Sequence, residues 1–441
     1  MVPHPTPSGT DCKLPRAIGA SRTTRLLGLL MLLGLAGCGR SPTRPGQTAV
    51  VSVVWADSAP IQLVMPGTPL RVMCNVVDAN GRFVSDTPGV QSRQGVIQGT
   101  TCAALTATRS GFDTLEVTAD DVTTTVPVVV ALPPAVSPAL GRPLPADSVP
   151  AGMQPWAPTL IRGPAGSLDL YFTGYLPDAG SPTGLRGDLH RFTSTDGGAS
   201  FQYDGAALLR DPIPCSLNGD GIENVAVVPR SDAPGWRMYY AAGGFTCYGW
   251  QVFSAVSDDM RTWVKESGVR ISNGGPLPPA APGGVPWPSG EGMVVDQLPG
   301  GEFRMIVGAY RHEMPFEDKF QITDWRSDDQ LAWHYVGTLL STDDVGPDAQ
   351  RSIYSPTISE VVPGLYRMIF TGDDLNVGGH SRLYSAVSLD RTSWQVEGVL
   401  MTGDATGTDI FYSTVVDSLL VFIRRDPGQV RYLATATVTM P

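Results

Sequence analysis

Beyond residue 48 the apolar positions fall in short runs that alternate with polar ones and stop at Gly, Pro, Asn or Asp, which predicts strands rather than helices. Between 49 and 132 the runs are rich in β-branched residues (50–55, 70–77, 115–117 and 123–130), and Asp78-Ala79-Asn80-Gly81 reads as a hairpin turn. About eighty residues laid out this way predict a two-sheet sandwich. Residues 133–150 form a proline-rich joint. From 151 to 441 the runs become more aromatic and repeat, with middle strands at 168–174, 236–241, 303–308, 366–372 and 419–423.

One phrase punctuates that repeat. Ser194-Thr195-Asp196 leads to Phe201, Ser257-Asp258-Asp259 to Trp263, Ser327-Asp328-Asp329 to Trp333, and Ser388-Leu389-Asp390 to Trp394. The serines lie 63, 70 and 61 residues apart, the size of one four-stranded sheet. Ser and Asp at this spacing can bond backbone amides one or two residues on, while the aromatic fixes the corner. The predicted fold is therefore all-β: an N-terminal Ig-like β-sandwich followed by a five-bladed β-propeller. The last blade lacks the phrase, so a strand from about residues 136–148 is expected to complete it and leave no open edge.

Composition fits this picture. Only 17% of the 441 residues are charged, against 50 Gly and 39 Pro, and the net charge of −11 lacks the basic stripe that a nucleic-acid partner requires.

Residues 1–37 read as a targeting segment. Arg16, Arg22 and Arg25 precede an apolar run at 26–34 that is too short to span a bilayer as a helix. Leu35-Ala36-Gly37-Cys38 resembles a bacterial lipobox, which implies lipidation of Cys38, anchoring of the mature chain through residues 38–48, and export to the cell envelope. Gly39 at the next position resembles lipoproteins sorted to an outer rather than an inner membrane. Loss of 1–37 removes four basic residues and one acidic, leaving a mature charge of −14. Cys74, Cys102, Cys215 and Cys247 then form an even set in an exported chain, read as Cys74 with Cys102 and Cys215 with Cys247.

Three acids open the repeats at matching places: Glu223 in Gly221-Ile222-Glu223-Asn224, Glu291 in Gly290-Glu291-Gly292-Met293, and Asp409 in Gly407-Thr408-Asp409-Ile410. The innermost strands of a propeller line its channel, and glycoside hydrolysis needs one protonated carboxyl and one carboxylate, so these three are the catalytic candidates. Trp250, Trp287, Tyr310 and Trp325 are expected on loops or the rim, and Trp156 in the channel-lining segment that opens the first repeat, where they could stack on sugar rings; core packing is the common alternative.

Blades of about sixty residues with Ser-x-Asp turns make residues 150–441 resemble the furanosidase-like glycoside hydrolases of the arabinanase, xylosidase and invertase type. That resemblance implies that Glu291-Gly292 supplies the general acid and that Glu223 tunes it. Where those enzymes carry an Asp-Pro in the first blade, with the aspartate as base or nucleophile, this chain has Ala157-Pro158, and Asp409 is the expected substitute. The first Ser-x-Asp phrase also resembles the Asp box of sialidases, which is structural even there, and no arginine triad can be assigned. Residues 49–132 resemble bacterial Ig-like modules through Met65-Pro66-Gly67-Thr68, Val77-Asp78-Ala79-Asn80-Gly81 and Arg109-Ser110-Gly111-Phe112-Asp113-Thr114-Leu115, mostly spacers. No cofactor is expected; a channel calcium is the one metal the resemblance allows. The expected reading is a monomeric, membrane-anchored lipoprotein whose propeller binds and hydrolyses a glycan. Its alternative is a non-catalytic propeller that binds a glycan or a protein.

Overall fold

The computed structural model describes residues 48–441 apart from 56–58, 71, 79–87, 120–121, 145–148, 179–184, 212–220, 244–249, 273–286, 314–316, 347–348, 350–351, 374–380 and 404–406. The lipobox cysteine Cys38, and Cys215 with Cys247, lie outside the described residues. Among the described residues no helix is long and apolar enough to cross a membrane.

In the N-terminal part, Thr48–Trp55 pairs antiparallel with Val72–Asp78, and a second sheet runs in the order Gln62–Leu63, Val122–Ala131, Gly111–Ala119, Gly89–Ser92. Alternate residues of Gly111–Ala119 turn inward, so Leu115 and Val117 enter one apolar core with Val72, Val76, Val90 and Val130. Asp113 is the polar exception on that face. It is buried because the Ser92 hydroxyl (2.6 Å) and the amides of Gln94, Val96 and Ile97 all donate to it. The Cys74–Cys102 disulfide is present and ties the strand Val72–Asp78 to the turn Cys102–Ala104.

From Gln154 on, the chain forms a propeller of antiparallel four-stranded sheets in sequential order. The first is Gln154–Arg162, Leu168–Pro177, Leu185–Ser194 and Gln202–Leu208; the second is Gly221–Pro229, Trp236–Gly243, Gln251–Ser257 and Val264–Lys265, and one parallel bridge from Gly187 to Gly221 joins the two into a single eight-stranded sheet. The third is Trp287–Gln297, Phe303–Glu313, Glu317–Ser327 and His334–Leu340; the fourth is Ser352–Val362, Leu365–Asp373, Ser381–Ser388 and Gln395–Met401. A fifth, Asp409–Val416, Leu419–Arg425 and Tyr432–Thr439, takes its outer strand from Ala135–Pro143, far earlier in the chain. First and fifth sheets meet where the Leu160 amide donates to Thr414 Oγ1 (3.0 Å) and Arg162 pairs with Asp417.

The Ser-x-Asp turns form as their chemistry predicts. Asp259 Oδ1 accepts from the Ser257 hydroxyl and from the amides of Arg261 and Thr262, and Asp329 and Asp390 repeat the pattern. The residue after each aspartate (Gly197, Met260, Gln330, Arg391) takes a left-handed backbone. In three of the four copies its carbonyl or side chain is then gripped by the preceding sheet. Tyr171 Oη and Arg191 Nη1 donate to the Met260 carbonyl (2.6 and 3.0 Å). Tyr239 Oη and Arg237 Nη1 donate to the Gln330 carbonyl and Oε1 (2.8 and 2.7 Å), and Arg304 Nη2 to the Arg391 carbonyl (2.6 Å).

Arg237, Arg304 and Arg367 occupy the same place in Trp236-Arg237-Met238, Phe303-Arg304-Met305 and Tyr366-Arg367-Met368, and each is fully buried against an acid of its own sheet: Glu266, Asp324 and Glu397. The fifth sheet has no such turn to receive Arg367, whose Nη2 donates instead to the Leu132 carbonyl (2.7 Å) at the end of the N-terminal part. Ile61 and Ala131 pack on Leu365 and Val387 at the same junction.

Candidate active site

Every inner strand breaks register at a corresponding point. The shifts fall after Trp156, Glu223, Glu291, Tyr354 and Phe411, and the following residue (Ala157, Asn224, Gly292, Ser355 or Tyr412) has φ between 44° and 76°. A bulge of this kind kinks a strand and re-aims its side chains, and non-glycine residues held there store strain of order 1–3 kcal/mol each. Gly292 is required by space as well as by φ, since a Cβ would stand 2.2 Å from Ser355 Cα of the next sheet.

The bulges correct one sequence expectation. Glu223 and Glu291 are equivalent, but Asp409 is not their counterpart: it sits two residues before Phe411, which fills the corresponding position. Asp409 is buried and bonded to Arg425. The first sheet supplies Trp156 and the fourth Tyr354, so only two of the five corresponding positions carry an acid.

Those two acids are brought together. Glu223 is 5% exposed and Glu291 8%. Tyr175 donates to Glu223 Oε1, and Tyr412 Oη donates to Glu291 Oε2 at 2.5 Å. Burial pushes the Glu223 carboxyl up to about 8, reinforced by the charge of Glu291 and opposed by Tyr175, Arg431 and the Trp156 indole. Burial pushes Glu291 up to about 7, against the pull of Tyr412 and the Asn224 side chain, while the charge of Asp373 adds to the rise. A carboxyl that keeps its proton near neutrality can act as a general acid.

Trp156 lines the same place but is no open stacking platform. The Arg431 guanidinium lies 3.8 Å from its ring centroid, and Phe411 and Tyr412 pack at 5.0 and 4.8 Å. Trp325 is buried in the strand Glu317–Ser327 with its indole N–H on Thr323 Oγ1 (3.0 Å), and Trp250 is buried in the same apolar cluster, so neither stands on the rim. Trp287 and Tyr310 face each other in register between the first two strands of the third sheet; their side chains lie outside the described residues.

Four participants escaped the sequence reading. Tyr175 and Asp373 follow the parallel phrases Phe172-Thr173-Gly174 and Phe370-Thr371-Gly372, a signal that was present in the repeat. Asp373 accepts from Ser381 Oγ (2.6 Å) and Tyr354 Oη (3.2 Å). Tyr412 is marked only by its bulge, and Arg431 lies in the turn before Tyr432–Thr439. Among the described residues no cluster of three or more His, Cys, Asp or Glu could hold a metal ion.

Neither a family model nor a curated protein sequence matches this chain. Solved structures do. BT0996, in a complex with RGII, superposes with a TM-score of 0.54 at 14% identity, covering 70% of this protein and 92% of that one. A structure described as a glycoside hydrolase does so with a TM-score of 0.54 at 13% identity and the same coverages. The α-L-arabinanase of Penicillium chrysogenum, complexed with arabinobiose, has a TM-score of 0.44 at 14% identity, covering 70% and 98%. The protein therefore has the fold of glycoside-hydrolase propellers.

Proposed function

We propose that this protein is an exported lipoprotein, anchored through Cys38, that carries a five-bladed propeller on an Ig-like spacer and hydrolyses a glycan with Glu291 as general acid. The observation that carries the reading is the pair of buried glutamates at equivalent bulges, both holding their protons toward neutral pH, each bonded by a tyrosine. Glu223 supports Glu291, and Asp373, whose charge bears on Glu291, is the carboxylate that activates water in place of the base lost at Ala157. The RGII complex of BT0996 and the glycoside-hydrolase description of the second neighbour, on the same fold, agree with this substrate class.

The test is reducing-sugar release by the full-length protein in detergent from arabinans, xylans, fructans and acidic polysaccharides. Release that falls about 10²–10⁴-fold in both Glu291→Gln and Asp373→Asn is the expected result. A specific observation, Ala157 at the base position, favours a second reading as a non-catalytic glycan-binding propeller. Binding without release by the wild-type protein would establish that one, and neither binding nor release would remove both.

A further inference from the structure

Arg431 is a cation in the site with no ion pair among the described residues. It lies half-buried over the Trp156 ring, its Cζ 3.8 Å from that centroid and 5.6 Å from the Phe411 centroid, and its charge is felt by Glu223, Tyr354 and Tyr412. Among the described residues it makes no salt bridge or hydrogen bond, whereas the other arginines of the site region do: Arg425 with Asp409, Arg424 with Asp426. No acid beside it is bonded to it among the described residues. Glu223 is held by Tyr175 and Trp156, Glu291 by Tyr412, and Asp373 by Ser381 and Tyr354. A guanidinium stacked through its face keeps its N–H donors along its edge, the geometry that receives a planar oxyanion in two parallel bonds.

We propose that Arg431, laid on Trp156, receives an anionic substituent of the glycan, so that the preferred substrate class is an acidic polysaccharide carrying uronate carboxylates or sulfate esters. The inference rests on the glycan-binding reading above and narrows its substrate. Burial makes the recognition selective in both directions. An acidic sugar supplies the bonded counter-ion that the described residues do not, and a neutral one leaves that half-buried guanidinium without it.

Affinities of the full-length protein in detergent for four probes test this: polygalacturonate, the same polymer methyl-esterified, arabinan and a sulfated galactan. The expected result is at least about tenfold tighter binding of polygalacturonate than of its ester, the scale of one charge-assisted pair. Arg431→Gln should abolish that preference, weakening polygalacturonate binding about tenfold more than ester binding, and Arg431→Lys should restore part of it. Preference for the sulfated galactan, lost equally in Arg431→Gln, would identify sulfate as the anion. Binding of neutral and acidic polymers with equal affinity, or a preference that survives Arg431→Gln, would overturn the acidic assignment and leave the glycan reading standing. Binding of none of the four would remove both.

Discussion

Tyr412 Oη donates to Glu291 Oε2 at 2.5 Å, joining the fifth sheet to the third from the one point of its strand where the backbone turns left-handed (φ 49°). The bond favours the ionised form of Glu291 and so works against burial. Removing it with Tyr412→Phe therefore raises the Glu291 pKa further above about 7. The alkaline limb of the pH–rate profile, or the infrared band of the protonated carboxyl assigned with Glu291→Gln, is expected to move to higher pH. A limb that stays or moves down would show that the hydroxyl does not set this carboxyl.

Legibility of the sequence follows from where the physics is local. Strands and Ser-x-Asp turns were readable because alternation, Asp caps and left-handed positions are written in neighbouring residues, as in Ser257-Asp258-Asp259-Met260. Glu223 and Glu291 are legible because each opens its copy of the repeat, in Gly221-Ile222-Glu223-Asn224 and Gly290-Glu291-Gly292-Met293. Asp409 is misplaced from sequence because it stands two residues before Phe411, and the alignment of Phe411 with Glu223 exists only once the strands are paired. Trp325 and Trp250 were read as rim residues because burial between sheets depends on distant partners such as Tyr239 and Met293. Arg431 was invisible for the opposite reason: its place on Trp156 is fixed by ring closure, across most of the propeller's length.

Stability should fall as pH rises through the range set by the two glutamates. Their folded pKa values, about 7 and about 8, lie above the ordinary 4.5 of the unfolded chain, so between these limits the native state binds more protons than the unfolded one. Their contribution is complete below about pH 4.5 and is lost as pH climbs through 7 to 8. Glu223→Gln, which cannot ionise, should melt higher than wild type at pH 8, with the difference shrinking toward pH 5. A difference in melting temperature that does not depend on pH would contradict the assignment.

The buried arginines predict unequal costs for two arginine–aspartate pairs. Arg304 is 1% exposed, bonded to Asp324 at 2.9 Å, and grips the Arg391 carbonyl of the next sheet. Asp324→Asn leaves that guanidinium short of its counter-charge in the interior and should cost about 3–5 kcal/mol in denaturant unfolding. Asp417→Asn, which breaks the exposed pair with Arg162, should cost no more than about 1 kcal/mol. Similar losses for both would mean that the clamp between sheets does not hold the ring.

Gly292→Ala separates the two demands made on the bulge beside the proposed acid. The position has φ +76°, and an added Cβ would stand 2.2 Å from Ser355 Cα and 3.0 Å from its carbonyl carbon, backbone atoms that cannot turn aside. Overlap of this sort costs about 1–3 kcal/mol, and the left-handed backbone adds roughly 1–2 more. Gly205→Ala carries only the second cost, because φ is +102° but nothing lies within 4 Å of its Cβ. Unfolding free energies of the two variants should therefore differ by the overlap alone. The strain is expected to reach function as well, since relief requires the third and fourth inner strands to part, carrying Glu291 away from Tyr412. Gly292→Ala should thus lose glycan turnover or binding more steeply than stability, while Gly205→Ala, on an outer strand, should leave both at wild-type levels once folded. Equal losses in the two variants would show that close packing of these inner strands is not what positions Glu291.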